Sequence, residues 1–266
     1  MSSTLFKATL KSNWPIALGI TLFIMIYIST SISMFNPESA EFIESMLKVM
    51  PDSMLKIFGF ENLGTDLTQY ISNYLYGFIA LVFPFIYTSV TANRMIAKHV
   101  DSGSMSYILA TPNTRNKVAL TQAVYLIVST TAIFTVLLGV AIMMSASMWP
   151  GMLKIGIFTV LNIVTLSATL VCAGISFLAS CIFSDSRFSL AFGIGIPLFF
   201  VMARMLHGLS EKVDWLKYLS VYTVVDIERI LAGGSYALFA TMALLGASAL
   251  FFAAGIAIFN KKSLII

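Results

Sequence analysis

Few residues in this chain have side chains that could act as catalysts or metal ligands, and their spacing argues against both roles. Cys172 and Cys181 fall in one apolar block, nine positions apart, so on a helix they face different sides and predict neither a disulfide nor a metal site. His99 and His207 lie in different connections, each without a second ligand at a useful spacing. No apolar block holds a His-Glu-x-x-His, a paired aspartate or a Gly-x-Ser-x-Gly element, and no Gly-x-x-x-x-Gly-Lys-Ser/Thr loop occurs. The sequence therefore predicts a protein that is not itself an enzyme and holds no cofactor or metal.

The elements that carry these residues are long apolar blocks. The 266 residues are 58% hydrophobic and 11% charged, whereas a soluble domain has about 25% charged residues. The apolar residues come in unbroken runs and not at amphipathic spacing, which argues against a soluble protein with a rich core. Six runs reach the roughly 20 residues that a membrane-crossing helix needs, and lipid requires each to satisfy its own backbone as a helix. The predicted fold is an all-α membrane protein, one six-span domain over residues 1–266, with spans at about 16–35, 71–92, 118–144, 155–183, 188–206 and 236–259.

The residues before the first block have the pattern of a helix that lies on the membrane surface. Lys7 and Lys11 stand one turn apart beside an apolar side that ends in Trp14. This predicts an N-terminal interfacial helix on the inner leaflet, with Pro15 in the first turn of the spanning helix, where its missing N–H costs nothing. The block is too long for a signal core and no small-x-small cleavage site follows it, so it is interpreted as a retained span.

Basic residues in the connections indicate the orientation. Of the 16 Lys and Arg residues, nine lie in the connections on one side of the membrane and six in those on the other, and Arg204 lies within a span. The larger set is Lys7, Lys11, Arg94, Lys98, Arg115, Lys117, Arg187, Lys261 and Lys262, and the smaller is Lys48, Lys56, Lys154, Lys212, Lys217 and Arg229. The positive-inside rule counts Lys and Arg near span ends, and it predicts that both termini and residues 103–115 are cytoplasmic. The net charge of +4 is then a topology signal and not a sign of nucleic-acid binding.

Two connections on the other side are too apolar to be free loops. Residues 37–60 predict two short amphipathic helices, which either cover the spans as a lid or act as a methionine-rich gate for an apolar cargo. Residues 209–234 mix large apolar side chains with seven charges, which predicts short semi-buried helices in the outer leaflet that end at Gly233 and Gly234.

Several features inside the spans leave alternatives open. Arg204, near the outer end of the fifth span, either snorkels to the headgroups or faces a cavity or interface. Pro84 and Pro197 predict bends that are either hinges or static kinks. The fourth block carries a row of small residues that either packs within the six-helix unit or forms a dimer face: Ala168, Cys172, Ser176 and Ser180.

The short polar insert at residues 103–115 interrupts this apolar chain. Gly103 opens it, Thr111 and Pro112 break it, and Arg115 leads back to the membrane. Met105, Ile108 and Leu109 share one side of the helix between these points, so the insert is either a docking element or a capped interfacial turn.

The stretch "HVDSGSMSYILATPNTRNKVALTQ" resembles the segment after the second span of type-2 ABC transporter permeases. Those proteins carry an acidic residue, a Gly, a Tyr-Leu-Leu run and a Thr-Pro-x-x-Arg element; here Asp101 stands where Glu is more usual. The layout of six spans, an interfacial helix, a semi-buried outer segment and a C-terminal "FNKKSL" is similar over the whole chain.

The resemblance implies that the insert is a cytoplasmic coupling helix that seats on a separate ATPase subunit. The implied coupling residues are Asp101, Gly103, Tyr107, Leu109, Thr111, Pro112 and Arg115. ATP and Mg would then be bound by two copies of the partner ATPase, and a second permease copy or a sister permease would complete the complex. The implied role is export across a bacterial plasma membrane, with a hydrophobic or amphipathic cargo such as a peptide, an antibiotic or a lipid-like molecule.

Two other classes of function are weighed against this one. An ion-coupled secondary transporter would normally carry intramembrane carboxylates and repeated halves, and the nearest candidates, Asp226 and Glu228, lie outside the spans. A membrane enzyme would need catalytic groups at membrane depth, which the apolar blocks do not contain.

Overall fold

A computed structural model of the chain describes residues 1–36, 66–110, 114–206 and 213–262, and in those residues every regular element is helical. The α-helices are α1 (Ser3–Met34), α2 (Leu67–Tyr74), α3 (Ala80–Met95), α4 (Ala97–Asp101), α5 (Met105–Leu109), α6 (Arg115–Met148), α7 (Ile155–Ile182), α8 (Ser186–Leu206), α9 (Ile227–Leu231) and α10 (Tyr236–Lys261). A π-helical segment, Leu75–Ile79, joins α2 to α3, and 3-10 turns at Asp214–Tyr218 and Val221–Val224 precede α9.

Six helical stretches in the described residues are long and apolar enough to cross a membrane. They are α1, the run from α2 to α4, α6, α7, α8 and α10. Each overlaps one of the six predicted blocks, so the prediction of an all-α membrane protein with six spans is confirmed. The predicted methionine-rich helices at residues 37–60 lie outside the described residues.

The N-terminal interfacial helix is not a separate element, because α1 is one continuous helix of 32 residues. Pro15 lies inside α1 and not in the first turn of a spanning helix as predicted. At 1.5 Å per residue α1 is about 48 Å long, which exceeds the roughly 30 Å hydrocarbon core. The first turns also pack on the chain itself, since the Thr9 hydroxyl donates to Oε1 of Gln122 in α6 at 3.2 Å.

The fourth span, α7, is the centre of the bundle. It packs against α10, α3, α8 and α6, and its row of small residues is fully buried. The hydroxyls of Ser180 in α7 and Ser189 in α8 are 3.0 Å apart, and the Ser176 hydroxyl lies 2.9 Å from that of Ser89 in α3. The row therefore packs within one chain, and the dimer-face interpretation is wrong.

The bend at Pro197 in α8 is held by two hydrogen bonds. A proline cannot donate to the carbonyl four residues earlier, which here belongs to Gly193. That carbonyl accepts from the Ser89 hydroxyl at 2.7 Å and from the Ser176 hydroxyl at 2.9 Å. Neighbouring helices thus satisfy the freed group, as the membrane interior requires, which favours a static kink over a hinge.

The segment before the last span is semi-buried, as predicted. Tyr222 is fully buried, and its hydroxyl donates to the carbonyl of Leu81 in α3 at 3.4 Å. Trp215 stays exposed on the same segment. Gly233 and Gly234 follow α9 with φ of +81° and +101°, a backbone conformation that glycine adopts without strain.

Candidate functional site

The residues that the sequence singled out between the second and third spans form a short helix on a sharp turn. The backbone breaks at Ile96, continues as α4, and turns again at Gly103, whose φ is +72°. Glycine reaches this left-handed region easily because it lacks a Cβ. The Gly103 carbonyl then accepts the amide N–H and the hydroxyl of Ser106 at 3.2 and 2.7 Å, which starts α5.

One side of α5 faces the protein, so part of the docking interpretation needs correction. Met105 is 2% exposed, and Ile108 and Leu109 are half-buried against the same apolar cluster as Phe177. A docking helix would be expected to bury its apolar side against a partner, but here the chain buries that side itself. Tyr107 points away from that cluster and is 79% exposed. The large side chain that α5 leaves exposed is therefore Tyr107.

Asp101 ties this segment to the fifth span. Its Oδ2 accepts from the Ser186 hydroxyl at 2.8 Å and from the Ser186 amide at 3.4 Å. Ser186 begins α8, whose first turn is also capped by Asp185 through the amide of Arg187 at 2.7 Å. This contact links the end of α4 to the start of α8. The partner Ser186 is 85 residues away in the chain, and no sequence signal pointed to it.

Arg115 connects the start of the third span to the end of the last one. Its guanidinium donates to the carbonyl of Lys262 at 2.6 Å. The Lys262 ammonium donates in turn to the carbonyls of Cys181 and Phe183, at 3.1 and 2.8 Å, where α7 ends. Burial lowers the pKa of Lys262 from its ordinary value. Arg115 is thus half-buried, and its guanidinium is hydrogen-bonded within the chain.

The other predicted residues are dispersed. Thr111 and Pro112 lie outside the described residues. Lys7, Lys11 and Trp14 are exposed along α1. The structure brings together Asp101, Gly103, Tyr107 and Leu109 around α4 and α5, with Arg115 at the start of α6.

Arg204 lies at the other end of the bundle, apart from this group. It is half-buried, and its guanidinium donates to the carbonyl of Tyr76 in the π-helical segment at 3.4 Å. The Asp226 carboxylate is near enough to attract it. The π segment departs from the hydrogen-bond pattern of an α-helix, and the carbonyl of Tyr74, the residue before it, accepts from the Tyr27 hydroxyl at 3.2 Å. Arg204 therefore braces an irregular part of the second span.

Comparison with known proteins identifies one family. The sequence profile of the family described as ABC-2 family transporter protein matches residues 6–264. No curated protein sequence matches the chain at a significant level. In the part of the chain that the structure describes, no group of three or more His, Cys, Asp or Glu side chains could hold a metal ion.

Proposed function

Because the chain belongs to the ABC-2 family of transporter proteins, we propose that it is the membrane subunit of an ATP-driven exporter. The family implies an ABC ATPase as partner. In this proposal residues 103–115 seat on that ATPase, whose two copies bind ATP and Mg. A second copy of this chain, or a sister permease, completes the complex, because ABC ATPase sites form between two subunits.

The observation that carries the proposal is the exposure of Tyr107 on an otherwise anchored helix. Met105 fixes α5 to the bundle, so Tyr107 projects from a rigid base. Exposed aromatic side chains on rigid elements are typical anchors of protein interfaces. A docking element that must transmit force needs this combination, since a loosely held helix would yield instead of pushing.

Two routes lead from this helix into the membrane. Through α4 a push on α5 reaches the second span, of which α4 is the end. Through the Asp101–Ser186 contact it reaches the fifth span. Closure of the ATPase pair would therefore move the second and fifth spans together. The bend at Pro197 would move with the fifth span without changing its angle.

An apolar groove between α1 and α6 supports a hydrophobic or amphipathic cargo. It encloses about 610 Å³, and large exposed side chains such as Trp14, Leu18 and Val136 line it. A peptide, antibiotic or lipid-like molecule with apolar groups could move along such a wall without losing its lipid-like surroundings.

The ion-coupled alternative finds little support in the spans. Across all six helical stretches the only carboxylate is Asp101, at the very end of one of them. Its bond to Ser186 at the start of α8 gives it a capping role. Ion coupling normally uses carboxylates at membrane depth.

Reconstitution with the partner tests the proposal. The chain purified alone should hydrolyse no ATP, and co-expression with its ATPase should yield a complex with two permease chains, turnover and ATP-dependent movement of a labelled cargo from a panel of peptides, drugs and lipids. Steady-state turnover in nanodiscs and the mass of the complex measure this. Turnover by the isolated chain, or full activity with a single permease chain, would contradict it.

The proposed orientation, with both termini cytoplasmic, predicts which introduced cysteines react in intact cells. Ser235→Cys should react with an impermeant thiol reagent added outside, and Ser102→Cys should react only after the membrane is opened. Both serines are exposed, whereas the native Cys172 and Cys181 are buried and give little background. Labelling of Ser102→Cys from outside would reverse the orientation.

A further inference from the structure

We propose that a pocket beside the coupling segment binds the phosphate-bearing headgroup of a membrane phospholipid. The pocket encloses about 420 Å³ between the first turns of α1, the end of α3, α4 and α5. Its polar lining includes Arg94, Lys98, His99, Asn13 and Gln122. It lies on the opposite side of α1 from the apolar groove proposed for the cargo, and the two share no residue.

The charged side chains that line this pocket favour binding of an anion. Arg94 and Lys98 both line it, and no aspartate or glutamate does. Within the described residues, neither forms an ion pair with a carboxylate. The carboxylate closest in sequence, that of Asp101, is already bonded to Ser186. Two cations in one cavity repel each other, and a phosphate would offset that repulsion with charge-assisted hydrogen bonds.

Present hydrogen bonds do not use these groups fully. The Arg94 guanidinium donates to the Ser12 carbonyl at 3.5 Å, a long and weak contact for a guanidinium with five N–H donors. Asn13 is 3% exposed, and its Oδ1 has no hydrogen-bond partner in the described part of the chain. A headgroup that brings both phosphate oxygens and a hydroxyl or ammonium donor matches the two cations and this acceptor. Phosphatidylglycerol and phosphatidylethanolamine have that chemistry.

The apolar lining favours a lipid over free phosphate. Leu5, Ala8, Met95 and Ile108 line the same cavity. An inorganic phosphate would gain nothing from these side chains, whereas the glycerol backbone and the first methylenes of a lipid would be buried against them. Lys98 and His99 also stand within the last turn of the second span, where a headgroup would lie.

Occupancy of the pocket would reach the coupling segment directly. Ile108 belongs to α5, and His99 Nδ1 lies 2.8 Å from the hydroxyl of Ser104, the residue before α5. A bound headgroup would therefore hold the base from which Tyr107 projects. A membrane phospholipid would then act as a ligand that stiffens this segment.

Native mass spectrometry of the full-length chain from detergent tests the proposal, with dioleoylphosphatidylglycerol as the probe. The first lipid molecule should bind more tightly than the second. Dioleoylglycerol, which lacks the phosphate, should not bind at this first site. The Arg94→Gln/Lys98→Gln variant should weaken the first step by about tenfold or more, as expected for lost charge-assisted hydrogen bonds.

Two control variants distinguish loss of the pocket from a general loss of positive charge and from misfolding. Lys7→Gln/Lys11→Gln removes the same charge from exposed positions on α1 outside the pocket, and it should leave the first step unchanged. Arg94→Lys/Lys98→Arg keeps both charges and should retain binding. Equal weakening in the α1 variant, no weakening in the pocket variant, or equally tight binding of dioleoylglycerol would overturn the proposal. Full displacement by inorganic phosphate would assign the site to free phosphate and also overturn it.

Discussion

Replacing Tyr107 with alanine is expected to weaken binding of the ATPase subunit by about thirty-fold. Truncating a well-buried interface anchor typically costs about 2 kcal/mol, and each 1.4 kcal/mol is a factor of ten in affinity. Because Tyr107 is 79% exposed in the single chain, its loss should leave the fold of the permease intact. Co-purification with a tagged ATPase in detergent measures the binding, and ATP turnover in nanodiscs measures its consequence.

Tyr218→Ala is the matched control for this experiment. Tyr218 is 82% exposed in the segment before the last span, at the opposite end of the bundle. It should leave both ATPase recovery and turnover unchanged. Asp101→Ala adds a second distinction, because it breaks the tie to α8 without touching the exposed face of α5. Recovery should persist while turnover no longer responds to cargo. Unchanged recovery and turnover for Tyr107→Ala would sink the docking proposal.

Replacing Gly174 with alanine is expected to destabilise the bundle by about 1–3 kcal/mol, the usual cost of overpacking a core. A Cβ at Gly174 in α7 would lie 2.9 Å from Cβ of Phe251 and 3.3 Å from the carbonyl oxygen of Ser248, both in α10. Neither atom is the far end of a flexible side chain, so the two helices would have to separate. The midpoint of thermal unfolding in detergent should fall by several degrees.

Gly246→Ala serves as the control because it makes the same change in a helix of the same pair. No atom lies within 4 Å of a Cβ at Gly246 in α10. Alanine also favours helix over glycine by up to about 1 kcal/mol, so this variant should be neutral or slightly more stable. Equal midpoints for the two variants would mean that α7 and α10 do not depend on this close approach.

The number of spans, their helical state and the position of the insert all follow from the amino-acid sequence. These features are local, since about 20 apolar residues in lipid have no alternative to a helix that satisfies its own backbone. The turns at Gly103 and at the glycines after α9 could also be predicted, because a positive φ is a local property that favours glycine.

Which polar groups meet depends on how the helices pack and could not be predicted from the sequence. Asp101 bonds to Ser186 across 85 positions, and Arg115 to the carbonyl of Lys262 across 147. Which faces of α7 and α10 touch at Gly174, and which hydroxyls reach the carbonyl freed by Pro197, depend on how each helix is rotated and paired. Hydropathy carries no information on that rotation when a helix is apolar on all sides, as the spans of this protein are. The apolar side of α5 follows from the order of its residues, but helix packing determines that the chain itself buries that side and leaves Tyr107 exposed.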